Sequence, residues 1–311
     1  MRRTVTTALA VAVLSSWAGG IAVAGDELQD LLTEVGQDYA IGYSSPLVQG
    51  FGPNQNANLF TTAHIPRTGL IFGIGIKAMG TYLAEEDQSF RTVRTNVDLG
   101  AYDPAFAGYT GNVVMGGPTL FGDTETDGAL VGYYNGVEVF RQSTIPGLID
   151  TRWVPLVTPE AYVGGIYGLK AVVRYMPATG TDVGDVKYWG LGGQWNLNSL
   201  APTLPVDVMI GYMSQQFEVE GLIDANSSSL HLAVSKSLPA LTIYGGFAKE
   251  SSSMDVSYVY EGTGDSISFS VDGRQETRFT LGLTLDILAK LNVEMGHGDL
   301  TTYSAGLMFG M

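Results

Sequence analysis

The chain has no cysteine, few charged residues and an excess of acid over base. None of its 311 residues is cysteine and only 15% are charged, which excludes a disulfide framework and cysteine-ligated zinc. No uncharged run after Ala24 reaches the about 20 apolar residues that a membrane-spanning helix needs. Acidic residues outnumber basic ones by 31 to 16. This balance argues against nucleic acid as a partner, because phosphate binding depends on Lys and Arg.

The first residues predict an exported protein. Arg2 and Arg3 precede an uncharged run that ends in small residues before Gly25, which is typical of a secretory signal peptide over residues 1–24. Its removal leaves 16 − 2 = 14 basic residues against 31 acidic ones, a net charge of −17. An exported chain with 41 glycines and 16 tyrosines and no spanning helix is either a soluble periplasmic β-protein or a transmembrane barrel.

Strict alternation of apolar and polar residues decides between these two classes. Residues 276–287 alternate throughout, with apolar side chains on one face and Glu276, Arg278 and Asp286 on the other. The last nine residues follow the same pattern, from Tyr303 to Met311. A final strand with one apolar face leaves an open edge unless it pairs with the first strand to close a barrel. Its spacing resembles the C-terminal signal of bacterial outer-membrane barrels, which more often end in phenylalanine.

The predicted fold is all-β: a transmembrane antiparallel barrel of about twelve strands, within a range of ten to fourteen, preceded by a short N-terminal helix. The predicted strands are 69–80, 89–98, 136–142, 153–157, 161–176, 185–198, 205–218, 227–237, 240–260, 266–286, 289–297 and 302–310. Residues 69–80 are expected to pair with the last strand. The Gly-rich stretch 98–135 alternates little; it either folds into the lumen or indicates an error in the strand count.

The chain then divides into a signal peptide (1–24), a plug-like N-terminal helix and loop (25–68) and the barrel (69–311). Apolar residues at helical spacing predict the helix over residues 26–43. The helix either packs against the barrel or plugs its mouth. Residues 44–66 show no periodicity and are predicted to be an ordered loop, with the lumen as one location for it.

Residues 26–80 contain the motifs Asp38-Tyr-Ala, Pro46-Leu-Val, Gly50-Phe-Gly, Asn58-Leu-Phe and Thr62-Ala-His. With these motifs the stretch resembles a bacterial family of uncharacterised outer-membrane barrels. A wider likeness, in architecture alone, is to outer-membrane transporters of the fatty-acid type, which also have an N-terminal segment that enters the barrel. Their Asn-Pro-Ala signature is absent, so neither likeness supplies functional residues. The resemblance implies location in the outer membrane of a Gram-negative bacterium.

Residue chemistry gives little support for catalysis, and the sequence predicts a non-enzyme with no cofactor and no metal. His64, His231 and His297 lie far apart and not at metal-ligand spacing. Ser229, His231 and Ser235 share one strand face, as in barrel-embedded phospholipases, but that face is the polar one. The candidate lumen-lining residues are Lys77, Lys170, Arg174, Asp207, His231, Glu276, Arg278, Asp286 and Glu294. These charges either brace the barrel as salt bridges or line a polar pathway.

The predicted function is porin-like passive transport of a small molecule. Four aromatic residues of the unassigned stretch, Tyr109, Phe121, Tyr133 and Tyr134, favour a hydrophobic ligand. The alternative is a structural or surface-binding barrel with a filled lumen and no transport. The predicted partners are outer-membrane lipids and, through the C-terminal strand, the barrel assembly machinery.

Overall fold

A computed structural model describes residues 37–181, 184–200, 204–259 and 266–310 of the chain. The predicted signal peptide, the first part of the predicted helix and Met311 lie outside these described residues. Within the described ranges there are one α-helix, α1 (Gln37–Gln55), and fifteen strands. No helix in these ranges combines the length and hydropathy needed to cross a bilayer.

Ten of the strands form a closed antiparallel barrel in which consecutive strands pair around the ring. They are β1 (Ile71–Tyr82), β6 (Trp153–Ile166), β7 (Leu169–Thr181), β8 (Gly184–Asn196), β9 (Asp207–Val219), β10 (Ile223–Leu238), β11 (Leu241–Val259), β13 (Thr277–Asp286), β14 (Lys290–His297) and β15 (Thr301–Gly310). The all-β prediction is therefore confirmed. The expected number of about twelve barrel strands is too high by two.

The first and last strands of the barrel pair with each other, as the sequence predicted. Strand β1 runs antiparallel to β15, with Ile74 opposite Phe309 and Lys77 opposite Gly306. Its other edge pairs with β6. Because every strand has two partners, neither edge of the terminal strand is left open.

The two faces of the wall differ as the alternation predicted. On β13, Phe279 and Leu281 are exposed on the outer face, Leu281 to 61%, whereas Arg278 and Thr284 are buried on the inner face. The same contrast continues on β15, where Leu307 is exposed and Met308 is buried. The outside of the barrel is therefore a band of apolar side chains, and its polar residues point inward.

One predicted strand, 161–176, is in fact the hairpin that joins β6 to β7. The chain turns at Tyr167 and Gly168, both of which have positive φ. Outward-facing residues have odd numbers up to Val163 on β6 and from Leu169 on β7. A register shift between Gly164 and Ile166 keeps this parity across the hairpin, so the alternation reads through it as a single strand. The predicted strand 153–157 is the first part of β6.

Residues 83–152 form a separate unit between β1 and β6. It contains a four-stranded antiparallel sheet, made of β2 (Ser89–Asp98), β3 (Thr110–Pro118), β4 (Ala129–Tyr134) and β5 (Val137–Ser143). The predicted barrel strands 89–98 and 136–142 belong to this inserted sheet, and the unassigned stretch 98–135 lies in it. This explains the excess of two in the predicted strand count.

The inserted sheet defines one end of the barrel, the sheet end, because it follows Tyr82 and precedes Trp153, which are paired. The opposite end, the turn end, carries the short turns near Tyr167, Ala240 and Leu288 and the end of β15. Short connections are not confined to the turn end, because residues 220–222 and 298–300 join strands at the sheet end. Connection length therefore does not separate the two ends as it does in many outer-membrane barrels.

The helix α1 lies inside the barrel and extends to Gln55, twelve residues beyond the predicted end at Tyr43. It contacts barrel strands β1, β6, β10 and β11 and also β2, β3 and the short strand Ser266–Asp272. Its buried residues lie on all sides, so it has no single apolar stripe for a sequence pattern to detect. Its residues Pro46 and Pro53 also favour the prediction of a loop, because proline is unfavourable in the interior of a helix.

The predicted strand 266–286 is broken into β12 (Ser266–Asp272) and β13. Both pair with β11, β12 with its second half and β13 with its first. At the break, the backbone N–H of Arg274 donates to Gln49 Oε1 of the helix at 2.7 Å. The side chain of Gln275 donates to Glu250 at 2.9 Å. These inward contacts draw the chain out of the sheet.

Candidate functional site in the barrel lumen

Residues 37–66, here called the lumen segment, pass through the barrel from the sheet end to the turn end. At the sheet end, Tyr39 Oη lies 2.6 Å from Thr144 Oγ1 of the inserted unit. At the turn end, Asn196 Nδ2 of the wall donates to the carbonyl of Ala63 at 2.8 Å. The lumen is therefore occupied by the chain itself along its length.

Two arginines of the wall bind the backbone of the lumen segment where α1 ends. The guanidinium of Arg174 on β7 donates to the carbonyls of Gln55, Ala57 and Asn58, each at 2.9 Å. Arg278 on β13 donates to the carbonyl of Pro53 at 2.6 Å. The last carbonyls of a helix have no partner within it, and here wall side chains supply the missing donors.

The same arrangement continues along the non-helical part of the lumen segment. Gln194 Nε2 donates to the carbonyl of Leu59 at 2.7 Å, and Thr284 Oγ1 donates to that of Thr61 at 2.7 Å. A buried chain without regular structure would otherwise leave its carbonyls unsatisfied, at a cost of about 1–3 kcal/mol each. The inward polar residues of the wall therefore hold the lumen segment in place.

Asn58 is the most connected residue of the lumen segment. Its Oδ1 accepts from Lys77 Nζ at 2.7 Å and from Asn292 Nδ2 at 2.9 Å. Its Nδ2 donates to Ser304 Oγ at 3.1 Å, and its backbone N–H donates to Glu294 at 2.9 Å. Asn58 also has a positive φ of 54°, a conformation that asparagine tolerates better than most residues. Asn58 belongs to the resemblance motif Asn58-Leu-Phe but was not among the predicted lumen-lining residues.

Buried charges of the wall pair with one another around this point. Arg174 contacts Glu160 at 3.0 Å, and Lys77 lies 3.8 Å from the other oxygen of the same carboxylate. Arg278 contacts Glu250 at 2.6 Å. The charges thus brace the wall and the lumen segment together, which corresponds to the salt-bridge alternative.

Glu160 and Glu250 were missed as site residues, although strand parity contained a signal for one of them. Glu160 and Arg174 both have even numbers, as the inward-facing residues of their strands do. The two are direct partners across the β6–β7 hairpin. This signal was lost because Glu160 falls between the predicted strands 153–157 and 161–176.

The other predicted lumen residues occupy three different surroundings. Asp207 lies at the turn end and accepts from His64 Nδ1 at 3.1 Å. Asp286 is 58% exposed and lies 3.7 Å from Lys290. Glu276 differs from its predicted place, because it is an exposed residue in the break before β13. The inward bend at Gln275 shifts Glu276 off the inner face.

His231 is 2% exposed and lies inside the wall, while its neighbours Leu230 and Leu232 are on the outer face. Its ring stacks on Phe60 of the lumen segment, with centroids 5.4 Å apart. Among the described residues, neither ring nitrogen of His231 nor the hydroxyl of Ser229 has a hydrogen-bond partner. A serine nucleophile needs a hydrogen-bonded base, so this pair is not assembled as a catalytic site.

A cavity of about 180 Å³ remains between the lumen segment and the wall at the turn end. It is lined by residues of both, including Lys77, Glu160, Lys170 and Lys290. Lys170 and Asp286, two of the predicted lumen residues, line this cavity and do not belong to the ion pairs of Arg174 and Arg278.

The four aromatic residues that favoured a hydrophobic ligand do not line the lumen. Tyr109, Phe121, Tyr133 and Tyr134 belong to the inserted unit, where Tyr109 and Tyr134 pack edge to face with centroids 5.2 Å apart. Phe121 is buried in the core that the inserted sheet shares with α1. These residues give no information about what enters the barrel.

The inserted sheet also holds the start of the lumen segment. Asp38 forms an ion pair with Arg94 of β2, and the ring of Tyr39 packs edge to face on Phe90 at 4.8 Å. The hydrogen bond from Arg94 lowers the pKa of the Asp38 carboxyl below its usual value. This carboxylate therefore stays charged at neutral pH, and the ion pair contributes to docking until the pH falls below that lowered pKa.

The sequence as a whole matches one described protein family, over residues 1–311. The chain belongs to the family of unknown function DUF6588. No curated protein matches this member of the family.

Several solved outer-membrane barrels are similar to this DUF6588 member in part. A loop-deletion mutant of OmpT from Vibrio cholerae is 14% identical, with a TM-score of 0.26, and the match covers 78% of this chain and 99% of that one. The β-domain of the Bordetella autotransporter BrkA is 12% identical, with a TM-score of 0.29 and coverages of 78% and 99%. The N-terminal barrel of OprF from Pseudomonas aeruginosa is 14% identical, with a TM-score of 0.22 and coverages of 46% and 94%. Similarity at this level does not define a function.

Proposed function

We propose that this protein is an outer-membrane barrel for passive transport that is closed by its own lumen segment and conducts a small solute only when that segment moves. Location in the membrane is supported by the wall itself. Apolar side chains such as Leu281 and Phe309 are exposed around the outer face, which only a hydrocarbon phase would cover in a monomer.

The observation that carries the proposal is the polar seam between the lumen segment and the wall. Arg174, Arg278 and Gln194 hold the segment through its backbone carbonyls. The same two arginines form buried ion pairs with Glu160 and Glu250. Buried ion pairs are often no better for stability than apolar residues of similar volume, so a lumen filled only for stability has no need of these charges. Hydrogen bonds of this kind can be exchanged for water, which allows the segment to leave.

The experiment is a reversible lock on the lumen segment. The chain has no cysteine, and Thr62 Oγ1 of the segment lies 3.2 Å from Ser235 Oγ of the wall. The double variant Thr62→Cys/Ser235→Cys should form a disulfide that tethers the segment. In liposome swelling, solute entry should fall when the variant is oxidised and recover on reduction.

A second disulfide provides the matched control. Thr81 and Thr302 face each other on paired strands of the wall, with hydroxyls 2.8 Å apart, so Thr81→Cys/Thr302→Cys joins wall to wall. This control should conduct equally in both redox states. If solute enters equally fast in the oxidised and the reduced Thr62→Cys/Ser235→Cys variant, the tethered part of the lumen segment does not move during transport. Deletion of residues 26–66 should then raise permeability, and unchanged flux after this deletion would exclude the gate.

The second candidate is a structural or surface-binding barrel that never conducts. It is favoured by the occupied lumen and by the inserted sheet, which gives the sheet end a surface of its own. On this reading the disulfide lock does not alter permeability, because the segment never moves, whereas loss of the inserted sheet abolishes binding to a cell-surface component.

A further inference from the structure

The cavity at the turn end carries more positive charge than its own carboxylates neutralise. Three lysines line it, together with the carboxylates of Glu160 and Asp286. Glu160 already pairs with Arg174 at 3.0 Å and lies 3.8 Å from Lys77. Lys77 is further engaged by Asn58 and Asn292. One cavity carboxylate is thus fully used by buried partners.

The remaining two lysines, Lys170 and Lys290, are free to accept an anion. Lys290 has only a 3.7 Å contact with Asp286, which is itself more than half exposed. Among the described residues Lys170 forms no ion pair, and its Nζ lies 5.4 Å from the ring centroid of Tyr162. An ammonium group in a partly enclosed site is stabilised by an opposite charge.

Apolar side chains also line the cavity. They belong to Leu59 and Phe60 of the lumen segment and to Ile71 and Met308 of the wall, and Met308 is the cross-strand partner of Lys290. Gly75 on the inner face of β1 makes room for Met308, because a Cβ there would lie 2.6 Å from Met308 Sδ. The cavity therefore offers lysine ammonium groups beside apolar side chains within about 180 Å³.

We propose that this cavity binds a small organic anion, with its carboxylate on Lys170 and Lys290 and a short apolar body against Phe60 and Met308. An inorganic oxyanion would use the lysines alone. As the class of solute that is transported, this inference rests on the proposed function, but binding can be measured whether or not the solute crosses.

The test is equilibrium binding of benzoate to the full-length folded protein in detergent, by titration calorimetry. Benzyl alcohol, which is neutral and of similar shape, and inorganic phosphate are the comparison ligands. Benzoate should bind more tightly than both. Lys170→Gln should weaken benzoate binding about tenfold or more, since a hydrogen bond to a charged group is lost, and Lys170→Arg should retain it.

Lys187→Gln is the matched control, because Lys187 pairs with Glu218 near the sheet end, 3.7 Å apart, and should bind benzoate as the unmodified protein does. Equal binding of benzoate and benzyl alcohol, or tighter binding of phosphate, would overturn the proposal, as would unchanged affinity in Lys170→Gln. If that variant does not fold, the comparison of the three ligands on the unmodified protein decides. Benzoate binding without any gated flux would refute the transport function and leave this site intact.

Discussion

The buried ion pair of Arg278 and Glu250 provides a test of the lumen at the scale of single residues. Both side chains are almost completely buried, and Arg278 also binds the carbonyl of Pro53. Arg278→Ala should destabilise the fold by about 3–5 kcal/mol, because it leaves Glu250 as an unpaired buried charge. Urea unfolding in lipid vesicles, followed by tryptophan fluorescence, measures this loss.

Two variants control for the general effects of removing a charge. Arg141→Ala removes an equivalent contact with Glu138 on the exposed surface of the inserted sheet and should leave the unfolding midpoint unchanged. Arg278→Met/Glu250→Met removes both charges and should be less damaging than Arg278→Ala alone. If the single and double variants lose equal stability, the pair does not act as a pair.

At the scale of elements, the alternating strands were predictable, as was the helix over residues 37–43, whereas residues 44–55 of the helix were predicted to be a loop. Residues 289–297 and 302–310 were predicted within one residue of β14 and β15, because each strand has one apolar face and one face of mostly polar or small residues. Helix α1 is surrounded by protein, so its sequence has no such contrast. The role of Asn58 in the lumen was not predicted, because its partners Lys77 and Ser304 lie on strands of the wall and Ser304 is distant in the chain.

The helix is made of poor helix formers because it must fit within the wall. A Cβ at Gly50 would lie 2.5 Å from Cγ2 of Val154, a fully buried and stiff side chain. Helix propensity alone predicts that Gly50→Ala stabilises by about 1 kcal/mol. We expect the opposite sign in urea unfolding. Gly193→Ala, which has open space around its Cβ, is the control, and a stabilising Gly50→Ala would show that the helix is packed more loosely.

The outer face of the β13–β14 hairpin is tested by two substitutions of the same kind. Leu281 lies in mid-strand, whereas Leu288 lies in the short turn and is 97% exposed. Leu281→Arg should cost about 2–4 kcal/mol in vesicles, because it places a charge near the middle of the apolar band, and Leu288→Arg about 0–1 kcal/mol at the edge. Equal losses in the two variants would argue against a membrane around this wall.

At the scale of the whole molecule, the barrel and the inserted sheet are two separately paired units. No strand of β2 to β5 pairs with a barrel strand in the described residues, and Tyr82 and Trp153 are direct partners at the point where the insertion leaves the wall. Replacement of residues 83–152 by Asn-Gly, a sequence that favours a tight hairpin turn, should therefore leave a folded barrel, detected as a heat-modifiable band in gel electrophoresis.

The same variant should loosen the lumen segment, because α1 loses its contacts with Phe90, Arg94 and Thr144. Limited proteolysis should then cut the segment near Tyr39, and solute entry should increase if the segment is the gate. The part of the segment that Arg174 and Arg278 bind should stay protected from the protease. A barrel that fails to fold without the insertion would show that the inserted sheet is part of the barrel's folding unit, and a segment that stays fully protected would show that the wall alone holds it closed.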